Sequence, residues 1–196
     1  MAEVYTGTHE SFGRVAVKIM RGLLERDSDQ LARFKREAEV IESLRHPNIV
    51  QMFEYDIVDE APYLTMEHIP GPSLASYLKR LHDNNQRLPI GIVAQLLKSV
   101  ASALDYAHLK GLVHRDIKPA NVLLRSHSET VDLDKPLPQD VEPILTDFGL
   151  VRLLDSTMLT TAGSVSGTPT YMSPEQARGE KVTKRTDIYS LGIMLY

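Results

Sequence analysis

His114-Arg115-Asp116-Ile117-Lys118-Pro119-Ala120-Asn121 is the stretch whose reading decides this chain, and Thr146-Asp147-Phe148-Gly149 completes it further along. The octapeptide sets an acid, a base and an amide at Asp116, Lys118 and Asn121, in a polar loop bounded by the apolar runs Leu112-Val113 and Val122-Leu123-Leu124. Apolar runs of that length read as short buried segments that would hold the loop by both ends. Charged loops carried on rigid elements are where binding and catalytic groups collect.

Toward the N-terminus, Val15, Val17 and Ile19 alternate with Ala16, Lys18 and Met20, which predicts a strand over 14–20 that is buried on both faces and carries one lysine. Asp27, Ser28 and Asp29 then offer N-caps for a helix in which Leu31, Phe34, Ala38, Ile41 and Leu44 recur at three and four. At about 100° per residue, Glu37 falls inside that apolar arc. An ammonium in a core strand and a carboxylate on a core-facing stripe each cost several kcal/mol to bury alone, so pairing Lys18 with Glu37 removes both penalties. The alternative is that Lys18 snorkels to water and Glu37 tips off the helix edge.

Residues 49–58 and 63–69 predict a hairpin across Asp59-Glu60-Ala61-Pro62. After the Pro70-Gly71-Pro72 break, Ser73 caps a short helix running to about Leu81. A long helix over 92–109 follows, with Leu96, Val100 and Leu104 on one face and Gly111 as its C-cap. Residues 126–143 are acidic and proline-rich and predict a solvated, mobile loop. Strands first and helices after argue an α+β fold of two lobes with a crevice between them. The expected division is a small lobe over 1–69, an antiparallel sheet plus one helix, and a mainly helical large lobe over 70–196.

The 196 residues are 42% hydrophobic and 24% charged, with 22 basic and 26 acidic side chains and a net charge of −4, which excludes a disordered or fibrous chain. Mild acidity leaves no basic footprint for a nucleic-acid backbone, so nucleic acid is not an expected partner. With no cysteine there is no disulfide and no thiolate metal site, and the seven histidines are scattered rather than set at ligand spacing. No run of consecutive apolar residues reaches the length of about 18–20 that a membrane helix needs, and residues 1–10 lack a signal-peptide core, so no membrane segment is expected.

Five features stand in a fixed order: Lys18 within Val15-Ala16-Val17-Lys18, Glu37 on the next helix, the His114-Arg115-Asp116 loop with Asn121, Asp147-Phe148-Gly149, and Ser173-Pro174-Glu175. In that order the chain resembles the eukaryotic-like (Hanks-type) serine/threonine protein kinases over essentially its whole length, and the stretch from Gly167 to Ala177 is similar to their bacterial branch. The resemblance implies a two-lobed catalytic domain that uses ATP and Mg²⁺ to phosphorylate serine and threonine hydroxyls of proteins, another copy of itself in trans included. It also implies a cytoplasmic domain whose parent protein could be anchored in a membrane. Two rival readings are a pseudokinase acting as a scaffold and a small-molecule phosphotransferase of related fold. The first normally loses a catalytic residue, whereas Lys18, Asp116, Asn121 and Asp147 all stand here; the second lacks the peptide-groove segment that residues 167–175 resemble.

Residue by residue, the resemblance implies that Lys18 holds the α- and β-phosphates and is fixed by Glu37, and that Asn121 and Asp147 bind Mg²⁺. Asp116 orients the substrate hydroxyl and accepts its proton late, and Lys118 neutralises charge on the γ-phosphate. Val4 and Ala16 would lie above the adenine and Leu123 below it, with Met66 as gatekeeper and the backbone of Glu67 and Ile69 as hinge contacts. Plain core packing is the competing account of Val4, Ala16 and Leu123. Arg115 is similar to the arginine of kinases switched by activation-segment phosphorylation, with Thr160 and Thr161 as the expected sites; a merely flexible hydroxyl-rich loop is the alternative. Thr168 would contact Asp116 and Lys118. Ile41, Met52, His114 and Phe148 match a stacked apolar column footed on Asp187, which makes His114 a packing histidine rather than a general base.

The sequence departs from the family pattern at three places. Met1-Ala2-Glu3-Val4-Tyr5 resembles the tail of the glycine-rich phosphate loop without its earlier glycines, the chain stops within the helix that begins near Asp187, and residues 126–143 lengthen the connection between Asn121 and Asp147. The first two predict that residues 1–196 alone are a fragment that binds nucleotide weakly and shows little activity; the third reads as an inert surface insertion, with a docking element as the alternative.

Overall fold

A computed structural model describes residues 2–20, 28–58, 61–148 and 169–196, which form two compact units. The first unit holds the described residues up to 45 and those of 50–68; the second holds 46–49, 69–148 and 169–196.

In the first unit, β1 (Ala2–His9), β2 (Gly13–Met20), β3 (Met52–Val58) and β4 (Ala61–Glu67) form an antiparallel sheet in the order β1-β2-β4-β3, joined by α1 (Ser28–Glu42). β2 is central because its alternating aliphatics can be buried on both sides, and Val15 and Met20 are nearly inaccessible. β1 extends well beyond the Met1–Tyr5 loop tail expected from sequence. Its Val4 and Tyr5 remain largely exposed, so no apolar alternation announced it; it forms because pairing with β2 satisfies its backbone. The tight turn before β2 uses Gly13 at φ +68°, and Phe12 from that turn stacks on Phe53 of β3 with ring centroids 4.3 Å apart. On α1 the predicted stripe is seen at Ala38 and Ile41, which are buried, with Leu44 just beyond the helix.

The hairpin is shorter than expected, because β3 begins at Met52 rather than 49. Residues 46–49 leave the sheet for the second unit, where the Asn48 carbonyl accepts the Leu145 N–H at 2.9 Å and the Asn48 amide donates to the Pro143 carbonyl at 3.0 Å.

The second unit contains α2 (Leu74–Asp83), α3 (Ile90–Leu109), the two-stranded sheet β5 (Val122–Arg125) with β6 (Glu142–Leu145), α4 (Pro174–Ala177) and α5 (Lys184–Leu195). An antiparallel-sheet unit and a mainly helical one give the α+β class that the sequence predicted. Ser73 caps α2, accepting the Ser76 N–H at 3.1 Å. α3 ends at Lys110 as C-cap, and the expected Gly111 follows it at φ +78°. Gly71 is required by close approach: a Cβ there would lie 1.7 Å from the Leu124 carbonyl oxygen, where the chain runs alongside β5.

The acidic segment before β6 is anchored rather than solvated throughout, which corrects the sequence expectation. Val131 and Val141 are buried, the Tyr77 hydroxyl donates to the Lys135 carbonyl at 2.9 Å, and Arg80 donates to the Asp134 carbonyl at 2.9 Å. The Asp140 carboxylate accepts from the Ser126 hydroxyl at 2.8 Å and from the His127 and Ser128 amides, and these bonds hold its pKa down to about 2, Ser126 foremost. Among the described helices, only α3 is long and apolar enough to cross a membrane, although its length did not stand out as one apolar run in the sequence. It packs against β6 and α5 through one face, where Leu96, Val100, Ala103, Leu104 and Ala107 are buried, and the rest of the helix is half-buried or exposed.

Candidate active site

In the first unit, register gathers the residues expected to meet a nucleotide. Val4 and Leu64 both pair with Lys18, and Met66 pairs with Ala16. Directly paired residues share a sheet face, as do residues two apart on one strand, so Val4, Ala16, Lys18, Leu64 and Met66 face the same side. Lys18 is 7% exposed there. Glu37 is half-buried on α1. Glu67 ends β4, its N–H donating to the Gln51 carbonyl at 2.8 Å.

In the second unit, the 114–121 loop is built around the carboxylate of Asp116. Its Oδ2 accepts from Lys118 Nζ at 2.8 Å and from Asn121 Nδ2 at 2.9 Å, and the same amide nitrogen donates to the Asp116 carbonyl at 2.7 Å. Pro119 starts the short 3₁₀ turn Pro119–Asn121, where its missing N–H costs nothing. That turn carries Asn121 back over Asp116 before β5 begins. Leu123, on β5, pairs with Ile144 and is half-buried, and Ile69 is buried in the same unit.

Asp147 arrives beside this loop because the Thr146 N–H donates to the Asn121 carbonyl at 2.9 Å. It holds φ +63°, a left-handed conformation that costs a non-glycine residue roughly 1–2 kcal/mol. Such a conformation persists only where the surrounding structure over-determines it. Among the described residues no three His, Cys, Asp or Glu side chains form a metal cluster. The donor set nevertheless fits Mg²⁺: with the NH₂ arm of Asn121 committed to Asp116, its carboxamide oxygen and the Asp147 carboxylate are hard oxygen ligands, and a cation sharing phosphate oxygens needs only one or two from protein.

His114 and Asp187 form the floor. His114 is fully buried; its Nε2 donates to the Thr146 carbonyl at 2.9 Å, and its Nδ1 accepts the Asp116 N–H at 3.2 Å. Both ring nitrogens are occupied in the neutral tautomer, and the ring packs on Phe148 with centroids 4.7 Å apart. The histidine is therefore a structural one, as expected. Asp187, on α5, is inaccessible to solvent and accepts three hydrogen bonds: the Arg115 N–H at 2.8 Å on Oδ1, and on Oδ2 the His114 N–H at 2.8 Å and His108 Nε2 at 2.7 Å. Arg115 sits at φ +67°, so Asp187 holds a second strained residue next to Asp116. Nothing local in the sequence marks His108, since its place in the last turn of α3 carries no pattern that names a partner 79 positions away. Glu175 finds a partner in the Thr186 hydroxyl at 2.6 Å, which holds its carboxyl below the usual range. Thr160, Thr161 and Thr168 lie outside the described residues. A cavity of about 520 Å³ between α2, α3 and the end of α5 is lined by none of these site residues.

Burial pushes the His114 imidazole below its ordinary pKa of 6.5. The unfolded chain therefore takes up a proton at this residue near pH 6.5 while the folded chain does not, and stability present above that pH is lost as pH falls. We expect the loss to approach about 1.4 kcal/mol per pH unit from this residue between the two pKa values. Urea unfolding at pH 7.5 and 5.5 checks it: in His114→Phe the share of the pH dependence due to this residue disappears, and an unaltered pH dependence in the variant contradicts the assignment.

Comparison with known proteins gives one consistent result. The model of the protein kinase domain matches residues 1–196. The probable serine/threonine-protein kinase PknB of Lactococcus lactis is 38% identical over 200 residues, covering all of this chain and 29% of that protein. Serine/threonine-protein kinase PkaA of Streptomyces coelicolor is 41% identical over 182 residues, covering 93% of this chain and 31% of that protein. The crystal structure of the Mycobacterium tuberculosis PknI kinase domain superposes with a TM-score of 0.74 at 31% identity, covering all of this chain and 67% of that one. The chain thus spans about a third or less of the curated relatives named here.

Proposed function

The chain belongs to the protein kinase domain family, and from that premise we propose that it carries the catalytic machinery of a serine/threonine protein kinase of the bacterial type, transferring the γ-phosphoryl group of ATP to protein hydroxyls. The observation that supports this most directly is the Asp116 carboxylate held by Lys118 and Asn121, with Asp147 joined to the same loop through Thr146. Transfer of a phosphoryl group asks for positioned charge more than for a strong base, and an ordinary carboxylate suffices to orient a hydroxyl.

In this reading Lys18, steadied by Glu37, holds the α- and β-phosphates, and Val4, Ala16, Met66, Leu123 and the backbone of Glu67 and Ile69 receive the adenine. Asn121 and Asp147 would hold Mg²⁺, which would supply positive charge to offset that of the phosphates. Asp116 aims the substrate hydroxyl at the γ-phosphorus. As the new oxygen–phosphorus bond forms and the bond to the leaving ADP oxygen breaks, the hydroxyl proton passes to Asp116 and Lys118 balances charge on the transferred group. Thr160 and Thr161 are the activation-segment sites, modified in trans by a second copy, and Thr168 serves substrate binding. The domain works in the cytoplasm.

The test uses the longest open reading frame that carries these residues, with γ-labelled ATP and a mixed protein substrate. Label is expected on phosphoserine and phosphothreonine after acid hydrolysis, and is lost with EDTA. Label confined to a small molecule, or none at all, rejects the proposal.

A further inference from the structure

Gln176 bridges the helix α4 to the strained peptide that precedes Asp116. Its Oε1 accepts the Ser173 N–H at 3.2 Å, closing the cap of α4, while its Nε2 donates to the Arg115 carbonyl at 2.8 Å. Arg115 is thereby pinned from both ends, since its own N–H is held by Asp187 Oδ1 at 2.8 Å. A peptide in the left-handed region keeps that conformation only when its surroundings over-determine it, and here the two restraints come from two different helices. The Asp187 restraint is buried and belongs to the rigid base of the unit. The Gln176 restraint belongs to a segment of four helical residues, itself tied down by the Thr186 hydroxyl on Glu175 and by the Ser190 hydroxyl on the Tyr171 carbonyl at 2.7 Å.

We infer that Gln176 is a positioning residue that couples the order of the 169–177 segment to the orientation of Asp116. When that segment is seated, the carboxamide completes the restraint on the Arg115 peptide; when it is displaced, the carbonyl loses its donor and Asp116 loses its aim. The catalytic consequence rests on the kinase reading above, whereas the physical link does not.

Two substitutions separate this role from helix capping. Gln176→Glu keeps an oxygen acceptor for Ser173 and removes the donor to Arg115; Gln176→Leu removes both. Hydrogen exchange on the 196-residue chain is expected to quicken about tenfold in 113–118 for Gln176→Glu while 174–177 stays within about twofold, and to quicken in both segments for Gln176→Leu. In the full reading frame, kcat is expected to fall about tenfold in both variants with the KM for ATP within about twofold. Unchanged exchange in 113–118, parallel opening of 174–177 in Gln176→Glu, or an unchanged kcat overturns the inference. If the unmodified protein transfers no phosphate, the kinase reading fails, and the exchange measurement alone decides the link.

Discussion

Asp116→Asn is expected to lower kcat by about 10²–10⁴-fold, the range found when a positioned proton acceptor is lost. The carboxylate is engaged by Lys118 at 2.8 Å and Asn121 at 2.9 Å on one oxygen, so an asparagine can keep an acceptor in place and the loop need not collapse. What disappears is the negative charge, which draws the hydroxyl proton and offsets the Lys118 ammonium. Steady-state kinetics on the full reading frame should therefore show the KM for ATP nearly unchanged and the melting temperature of the 196-residue chain within a few degrees of the parent. A loss of less than about threefold in kcat would remove Asp116 from the chemistry.

Asp187→Ala is expected to cost the fold about 3–5 kcal/mol, the range for stripping a buried charged group from partners that stay behind. The carboxylate accepts two backbone N–H groups and a histidine, at 2.7–2.8 Å, in a place with no access to water. Alanine leaves these donors buried and unsatisfied, each at about 1–3 kcal/mol, and frees Arg115 from its left-handed conformation. Urea unfolding of the 196-residue chain measures the cost, and hydrogen exchange should show residues 108–118 opening first. A loss below about 1 kcal/mol would mean that the loop is held elsewhere.

The order of motifs is legible in the residues because each has a local physical cause. A lysine among alternating aliphatics demands an explanation, Ser73 and Gly111 mark helix ends, and a polar loop between apolar runs marks a site. What was not legible depends on partners far along the chain. β1 is a strand only because β2 lies beside it; its side chains are too exposed to write a pattern. Residue 49 reads as the start of a strand because Ile49 and Val50 are apolar, but the backbone at Asn48 and Ile49 finds its partners at Leu145 and Pro143 instead. The segment 126–143 reads as solvent-loving from its composition, yet Tyr77 and Arg80 of α2 hold it by backbone carbonyls, which any residue type supplies.

By itself, then, the amino-acid order determined the family resemblance, the α+β class and the identity of the polar residues around Asp116, since composition, spacing and periodicity are properties of the chain. Only the tertiary structure decided that Asp187 and Gln176 hold the Arg115 peptide on either side, and that His108 braces Asp187 from α3. The reason is that a hydrogen bond is fixed by direction and distance in space. Two residues separated by 61 to 79 positions in sequence become partners only once the core beneath them has set where each backbone runs.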